Sequence, residues 1–406
     1  MRTTAAWLLF ALGAGCAGSK AESAPRPQES PRQLQPGQII VVLPGDDAAR
    51  AAQLRGELAA QYQLREMGAF PLASIDVECV VFQVQGGAAV SEVLDRLRND
   101  PRVQAAQTNE TFEGLSQGGA RGTAALAYGP ALIHADAAHR TRTGKGVRIA
   151  IIDTGVAAEH PALRGRIAAS ENFVDGGLAS FGHDRHGTAV AGVIAGRDGD
   201  YAGMAPDAEV IALKACWYAG ADSAKALCSS WTLAKAVDYA IRSGARVLNM
   251  SLGGPPDALL SRLLDRALQR GTIVVAAAAE GRAPGFPASL PTVIAVFACG
   301  AGGHAEVPGW TSSRFAIAAP GIDILTTVPQ TGYDFVSGSS LAAAHVTGVL
   351  ALLLEQDPGL GPVQAFELLR ATSRPLAVAS ANTSRSAGLV DACAALGKLT
   401  GRSSCL

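Results

Sequence analysis

The sequence predicts an α/β protein built on a doubly wound, mainly parallel sheet, with a small α+β unit ahead of it. Three observations predict it. From about Ala127 onward, short β-branched runs alternate with helical patterns, which implies parallel strands joined by helical crossovers. Between Gly37 and Leu115 the pattern is strand, helix, strand, strand, helix, strand, an order that is ferredoxin-like. The 406 residues are 48% hydrophobic and 17% charged. That is core material for two or three units and excludes a wholly disordered chain.

Taken in order, residues 1–18 form an export signal: a charged start at Arg2, an apolar run Ala5–Leu12, then small residues. Leu-Gly-Ala-Gly-Cys resembles a bacterial lipoprotein signal, in which Cys16 would carry a lipid and become the new N-terminus. Ordinary cleavage near Ala17 is the alternative. The expected location is therefore outside the cytoplasm, lipid-anchored at the cell envelope or secreted. Any membrane contact would run through a lipid on Cys16. Residues 19–36 are rich in Pro, Ser, Gln and charge and read as a flexible linker.

The α+β unit, 37–115, has candidate strands Gln38–Leu43, Arg65–Ile75 (broken by Pro71), Glu78–Val84 and Val103–Thr111. Its helices are Ala48–Tyr62 and Val90–Asn99. A Gly/Ala-rich linker covers 116–126, and the large domain runs over 127–406. Its strand candidates are Val147–Ile152, Glu209–Leu213, Arg246–Met250, Thr272–Ala276 and Val293–Phe297. Leu259, Leu260, Leu263, Leu264 and Leu268 share one helical face, and Thr232–Ser243 is similar.

Lys+Arg 34 against Asp+Glu 35 gives a net charge of −1, which speaks against nucleic acid as a partner. Of seven cysteines, Cys216/Cys228 and Cys393/Cys405 are each 12 apart and could each close a small loop. Cys79 and Cys299 lie in strand-like runs and read as buried thiols. No paired CxxC spacing suggests a metal.

Three polar groups fall at or near the strand ends where ligands bind in such folds. Asp153 follows VRIAII, His186 opens HGTAVAG, and Ser340 starts a helix running to about Glu355. A serine hydroxyl is a weak nucleophile until an imidazole takes its proton. A carboxylate on the other ring nitrogen fixes the tautomer. Backbone N–H groups at a helix N-terminus suit a developing oxyanion.

Asp153-Thr-Gly, His186-Gly-Thr and Ser337-Gly-Ser-Ser340 together resemble the three catalytic motifs of the subtilisin-like serine proteases (subtilases, peptidase S8). The separations fit as well: 33 residues from Asp153 to His186 and 154 from His186 to Ser340. Asn249-Met-Ser-Leu-Gly-Gly254 is a fourth match. The resemblance covers about residues 123–380. It implies a subtilisin-like fold, Asp153, His186 and Ser340 as a catalytic triad, and hydrolysis of protein or peptide substrates without a required cofactor. It implies that residues 37–115 are an inhibitory propeptide, the enzyme's own partner, released by cleavage near 115–123. Ser251, Leu252, Gly253 and Gly254, with Ala277 and Ala278, would line the substrate cleft. These stretches are small and apolar, so an uncharged, apolar side chain is expected before the cleaved bond.

The departures matter too. Ala189 stands where the family has a second His, and Ser339 replaces the usual Thr before the nucleophile. Leu341 and Ala344 replace the usual Met and Pro. In VVAAAAEG the family's Ala-Gly-Asn, whose Asn amide donates to the oxyanion, is missing; Ala279 and Glu280 stand there, either replacing Gly-Asn or following a one-residue deletion. Losing one such donor typically slows catalysis about 10²–10³-fold. The expectation is a slow protease, or another donor in that place. A catalytically impaired, protease-shaped binding protein is the alternative. Relatives often bind calcium, but Asp198 and Asp200 in GRDGDYAG show no ligand pattern and read as a turn.

Overall fold

A computed structural model describes residues 36–115, 117–118, 128–220, 223, 225–279, 283–305, 316–376 and 387–402. The export signal with Cys16, almost all of the first linker, most of the second, Glu280 and Cys405 lie outside the described residues.

The N-terminal unit comprises β1 (Gln38–Pro44), α1 (Ala48–Tyr62), β2 (Leu64–Leu72), β3 (Val77–Val84), α2 (Val90–Arg98) and β4 (Ala105–Thr108). Its antiparallel sheet has the order β2-β3-β1-β4. Asp47 starts α1 by accepting from the amides of Ala49 and Arg50 at 2.9 and 3.0 Å. Pro71 does not break β2, because β2 is an edge strand and a missing N–H is tolerated there.

Side chains alternate across a strand, and here both faces are buried. Ile39, Val41, Leu43, Val80 and Phe82 pack with the helices of the unit. Ile40, Val42, Cys79 and Val81 belong to the core of the following domain. That double burial explains the uninterrupted apolar run IIVV. The strand expected over Val103–Thr111 is in fact two. It ends at Thr108, and a new strand, β5 (Thr111–Gly114), leaves the unit to pair elsewhere.

The large domain continues with β6 (Gln117–Gly118), α3 (Tyr128–Leu132), α4 (Ala135–Ala138), β7 (Arg148–Asp153), β8 (Ile167–Asn172), α5 (Arg185–Ala195), β9 (Arg197–Asp198), β10 (Tyr201–Ala202) and β11 (Glu209–Lys214). Then follow β12 (Cys216–Tyr218), β13 (Ala226–Ser229), α6 (Ser230–Arg242), β14 (Val247–Met250), β15 (Leu252–Gly253), α7 (Ala258–Gln269) and β16 (Ile273–Ala277). The chain closes with β17 (Ile294–Cys299), β18 (Ala316–Pro320), β19 (Ile324–Val328), β20 (Gly332–Ser337), α8 (Ser339–Gln356), α9 (Pro362–Thr372), β21 (Ala387–Leu389) and α10 (Ala392–Thr400).

Eight strands form one sheet in the order β21-β18-β17-β16-β14-β7-β11-β8, and each described pairing in it is parallel. The order reverses direction beside β7, so the strand ends there open a crevice. Helix α8 is apolar all round and buried from Ser339 to Leu354. It is long and apolar enough to cross a membrane, but 89% of it lies inside the fold, as expected of a central core helix.

Cys216 and Cys228 form a disulfide joining β12 to β13. Cys393 is disulfide-bonded as well. Cys79 and Cys299 are free and buried, and burial pushes both thiols up, Cys299 to about 12.

The N-terminal unit docks on the starts of α6 and α7. Gln107 Oε1 accepts from the Leu259 amide at 3.1 Å, and its Nε2 donates to Asp257 at 2.8 Å. Asn109 Oδ1 accepts from the Trp231 amide at 3.2 Å. These side chains satisfy N-terminal helix amides that have no partner inside their own helix.

Candidate active site

Asp153 is the last residue of β7, the position its β-branched run prepares. His186 lies in the first turn of α5, and Ser340 in the first turn of α8. All three are buried. His186 Nδ1 lies 2.6 Å from Asp153 Oδ1, and His186 Nε2 lies 3.1 Å from Ser340 Oγ. The three side chains thus form one hydrogen-bonded line. With the proton on Nδ1, the imidazole donates to the carboxylate and offers Nε2 to the hydroxyl.

Local contacts hold this line in place. Asp153 Oδ1 also accepts from the Thr154 amide at 2.6 Å. Thr154 Oγ1 accepts from the Gly187 amide at 2.9 Å. A side chain at Gly187 would put a Cβ 2.7 Å from the carbonyl oxygens of Thr154 and Gly155, so only glycine lets α5 approach so closely. Asp184 accepts from the Gly155 amide at 2.8 Å and pairs with the buried Lys214. Burial disfavours the imidazolium of His186, but the charge and hydrogen bond of Asp153 outweigh it and hold the ring above its ordinary value.

The site is occupied by the protein's own chain. Strand β5 lies between β13 and β15, antiparallel to both. The Leu115 amide donates to the Ser251 carbonyl at 3.3 Å, and the Leu115 carbonyl accepts from the Ser340 amide at 3.3 Å. Beyond that bond, β6 pairs with β20. Strand pairing therefore lies on both sides of the Leu115–Ser340 contact. A carbonyl held on the backbone N–H beside a serine that hydrogen-bonds an imidazole is the arrangement for acyl transfer.

Of the cleft residues expected from sequence, Ser251, Leu252, Gly253 and Gly254 do line this segment. Leu252 pairs with Gly114 and Gly253 with Glu113. A Cβ on Gly253 would meet the Leu115 side chain at 3.1 Å. Ala277 and Ala278 are buried at the end of β16, beside β14. Ser339 is buried at the start of α8. Asp198 accepts from the Tyr333 hydroxyl at 2.8 Å in the β9–β10 turn.

Sequence reasoning missed two contributors. The Tyr218 hydroxyl accepts from the His186 amide at 3.2 Å. Burial, then the nearby Asp153 charge, pushes this phenol up to about 12, so it stays neutral. Phe112 in β5 is wholly buried, its ring 6.1 Å from that of Phe286. Neither carries a motif that would have marked it.

The subtilase family model ("Subtilase family") matches residues 144–390. The chain belongs to the subtilase family. Thermophilic serine proteinase of Bacillus sp. (strain AK1) is 32% identical over 76% of this chain and 80% of its own length. Thermitase of Thermoactinomyces vulgaris is 34% identical over 59% of this chain and 85% of its own. Among solved structures, fervidolysin from Fervidobacterium pennivorans is described as a keratinolytic enzyme related to subtilisin. It superposes with a TM-score of 0.70 at 24% identity, over 91% of this chain and 63% of that longer one. This likeness bears out the subtilisin-like α/β fold. The subtilase relatives are serine proteases, so protein or peptide substrates follow for this subtilase as a class.

Proposed function

We propose that the chain is a serine endopeptidase made as an exported zymogen. Ser340 attacks the peptide carbonyl while His186 Nε2 takes its proton, and Asp153 stabilises the imidazolium that forms. The Ser340 amide stabilises the oxyanion. His186 then returns the proton to the leaving amine, and water repeats the sequence to release the acyl group. One observation carries the reading: the hydrogen-bonded order Asp153, His186, Ser340 meets the carbonyl of Leu115.

In this reading the Leu115–Ser116 bond is the first bond cut, within the expected range 115–123. Residues 37–115 then remain as a docked inhibitor whose tail is a cleavage product, and 127–406 form the peptidase. The disulfide at Cys216 suits an oxidising compartment and so supports export. Glu280 in place of the usual Asn supports a reduced rate.

The test is expression of the full chain with and without Ser340→Ala. Processing at Leu115, with hydrolysis of unfolded protein that the variant lacks, is the expected result. If both chains stay full length and neither cleaves protein, the proposal fails. The missing oxyanion Asn favours a second reading, a subtilase-shaped binding protein. A fluorophosphonate probe separates the two, because it labels Ser340 in an enzyme and leaves a folded, processed binder unlabelled.

A further inference from the structure

Beside the catalytic line the fold encloses a cleft of about 530 Å³, a size typical of a binding pocket. Val156, Ala157 and Phe181, all buried, line it together with Leu178, Gln330 and Thr331. Leu178 is 57% exposed. Leu178 and, at the start of β20, Tyr333 are two of the four large apolar side chains left exposed among the described residues.

The cleft is tied to β20. His160, in its wall, accepts from the Ala162 amide at 3.1 Å through Nδ1, so Nε2 carries the proton and donates to the Gly332 carbonyl at 2.9 Å. The same ring stands edge-on to Tyr333, with centroids 5.2 Å apart. Gln330 and Thr331, in the β19–β20 turn, both have left-handed backbone, with φ of 66° and 65°. That conformation is costly for a β-branched residue, and such strain gathers at ligand clamps.

Strand register shows what reaches this place. Strand β6 runs antiparallel to β20, with Gln117 opposite Ser337 and Gly118 opposite Val336. A substrate chain that keeps this register beyond the position of Gly118 travels along β20 towards Gly332. Gly118 is the third residue after the Leu115–Ser116 bond. Four further steps bring the seventh residue opposite Gly332, and a fifth brings the eighth to the turn at Gln330 and Thr331. At about 3.4 Å per step, those five cover roughly 17 Å of extended chain.

We propose that this cleft is a docking subsite for the downstream part of a protein substrate. It takes a large apolar side chain, such as Leu, seven or eight residues after the cleaved bond. Burial against Val156, Ala157, Phe181 and Leu178 favours that side chain, and backbone pairing with β20 delivers it in register. The enzyme thereby favours unfolded polypeptide over short peptides with the same cleavage sequence. The proposal rests on the endopeptidase reading.

Kinetics on the enzyme purified after its own processing test it. Three quenched fluorescent peptides begin Phe-Glu-Gly-Leu-Ser-Gln-Gly. The first ends there, the second adds Ser-Thr-Ser-Leu-Leu, and the third adds Ser-Thr-Ser-Ser-Ser. Mass measurement of the products confirms the cut after the first Leu. The Leu-Leu peptide should exceed the Ser-Ser peptide in kcat/KM by about tenfold, as burial of one large aliphatic side chain provides. The gain should appear in KM, with kcat nearly constant, because the contact is remote from the reacting bond.

Leu178→Asp places a charge in the cleft at an exposed position, and Ala158→Trp fills the cleft from another part of its lining. Each should bring the preference below about threefold while the short peptide stays within about twofold of the unaltered enzyme. Equal rates on the Leu-Leu and Ser-Ser peptides overturn the proposal and leave the endopeptidase reading standing. So does a preference that survives Leu178→Asp or, should that chain not fold, Ala158→Trp. If the unaltered enzyme hydrolyses none of the three peptides, the endopeptidase reading fails and the proposal falls with it.

Discussion

The amide of Ser340 donates to the carbonyl of Leu115 at 3.3 Å, across 225 positions of sequence. That contact sets the register of everything around it. Leu115 lies against Gly253, Gly114 pairs with Leu252, and Phe112 fills the space beside the disulfide. A slip of one residue would turn the buried side chains of this strand outward.

Self-processing should therefore depend on Leu115. Leu115→Asp puts a charge against the apolar Gly253 surface, where Leu115 is partly buried, and appearance of the mature chain should slow by at least about 10-fold, because a partly desolvated, unpaired charge is disfavoured. Leu115→Met, similar in volume, should process at close to the normal rate. Mass measurement of the new N-terminus checks both.

The acid limb of activity should lie above pH 6.5. The proposed base must be neutral to accept the Ser340 proton, and Asp153 holds the protonated form of His186 above its ordinary value. Activity should thus rise with pH through that raised value. Asp153→Asn should cut kcat by about 10⁴-fold through the wrong tautomer and move the acid limb down. A pH profile of kcat/KM for both enzymes measures this.

The grip of the N-terminal unit should tighten in alkali. Lys235 donates to the Phe173 carbonyl at 2.8 Å and is covered by Phe70 and Trp231. Burial lowers its ammonium to about 8 from 10.5. The unfolded chain then binds more protons than the folded one between those values, so stability rises with pH. The penalty is full below pH 8, gone above 10.5, and worth up to about 3 kcal/mol. In full-length Ser340→Ala, the urea midpoint should climb over that window. Lys235→Met should flatten it, and a slope that survives the substitution would count against this assignment.

Restoring the family's oxyanion amide should raise the rate. Glu280→Asn replaces a carboxylate with a donor, and the expected gain in kcat is about 10²-fold, the lower end of what one such donor provides. KM should change little, because the donor acts on charge that develops in the transition state. Steady-state kinetics on one peptide gives both numbers.

Much of this was legible in the chain. The β-branched run VRIAII ends at Asp153, as a parallel strand should, because its side chains are buried on both faces. The helix Ala48–Tyr62 appears with its expected limits, fixed by the Asp47 cap. Burial of Cys79 and Cys299 followed from their apolar neighbours. The part that was not legible concerns long-range pairing. Nothing within Val103–Thr111 announces that Thr108 ends one sheet and Thr111 begins another, because both stretches have similar local preference. Tyr218 reaches the His186 amide only because β12 passes the start of α5.

By itself, the sequence determined the main strands and helices, five of the eight strands of the large sheet among them, and which three polar groups stand at or near their ends. Periodicity, caps and glycines act within a few residues, so they can be read along the chain. The tertiary structure alone decided which peptide lies in the cleft, in which register, and what walls its pockets. Those choices depend on side chains and backbone amides that meet only after the two units pack together, where burial and strand pairing select one alignment among many.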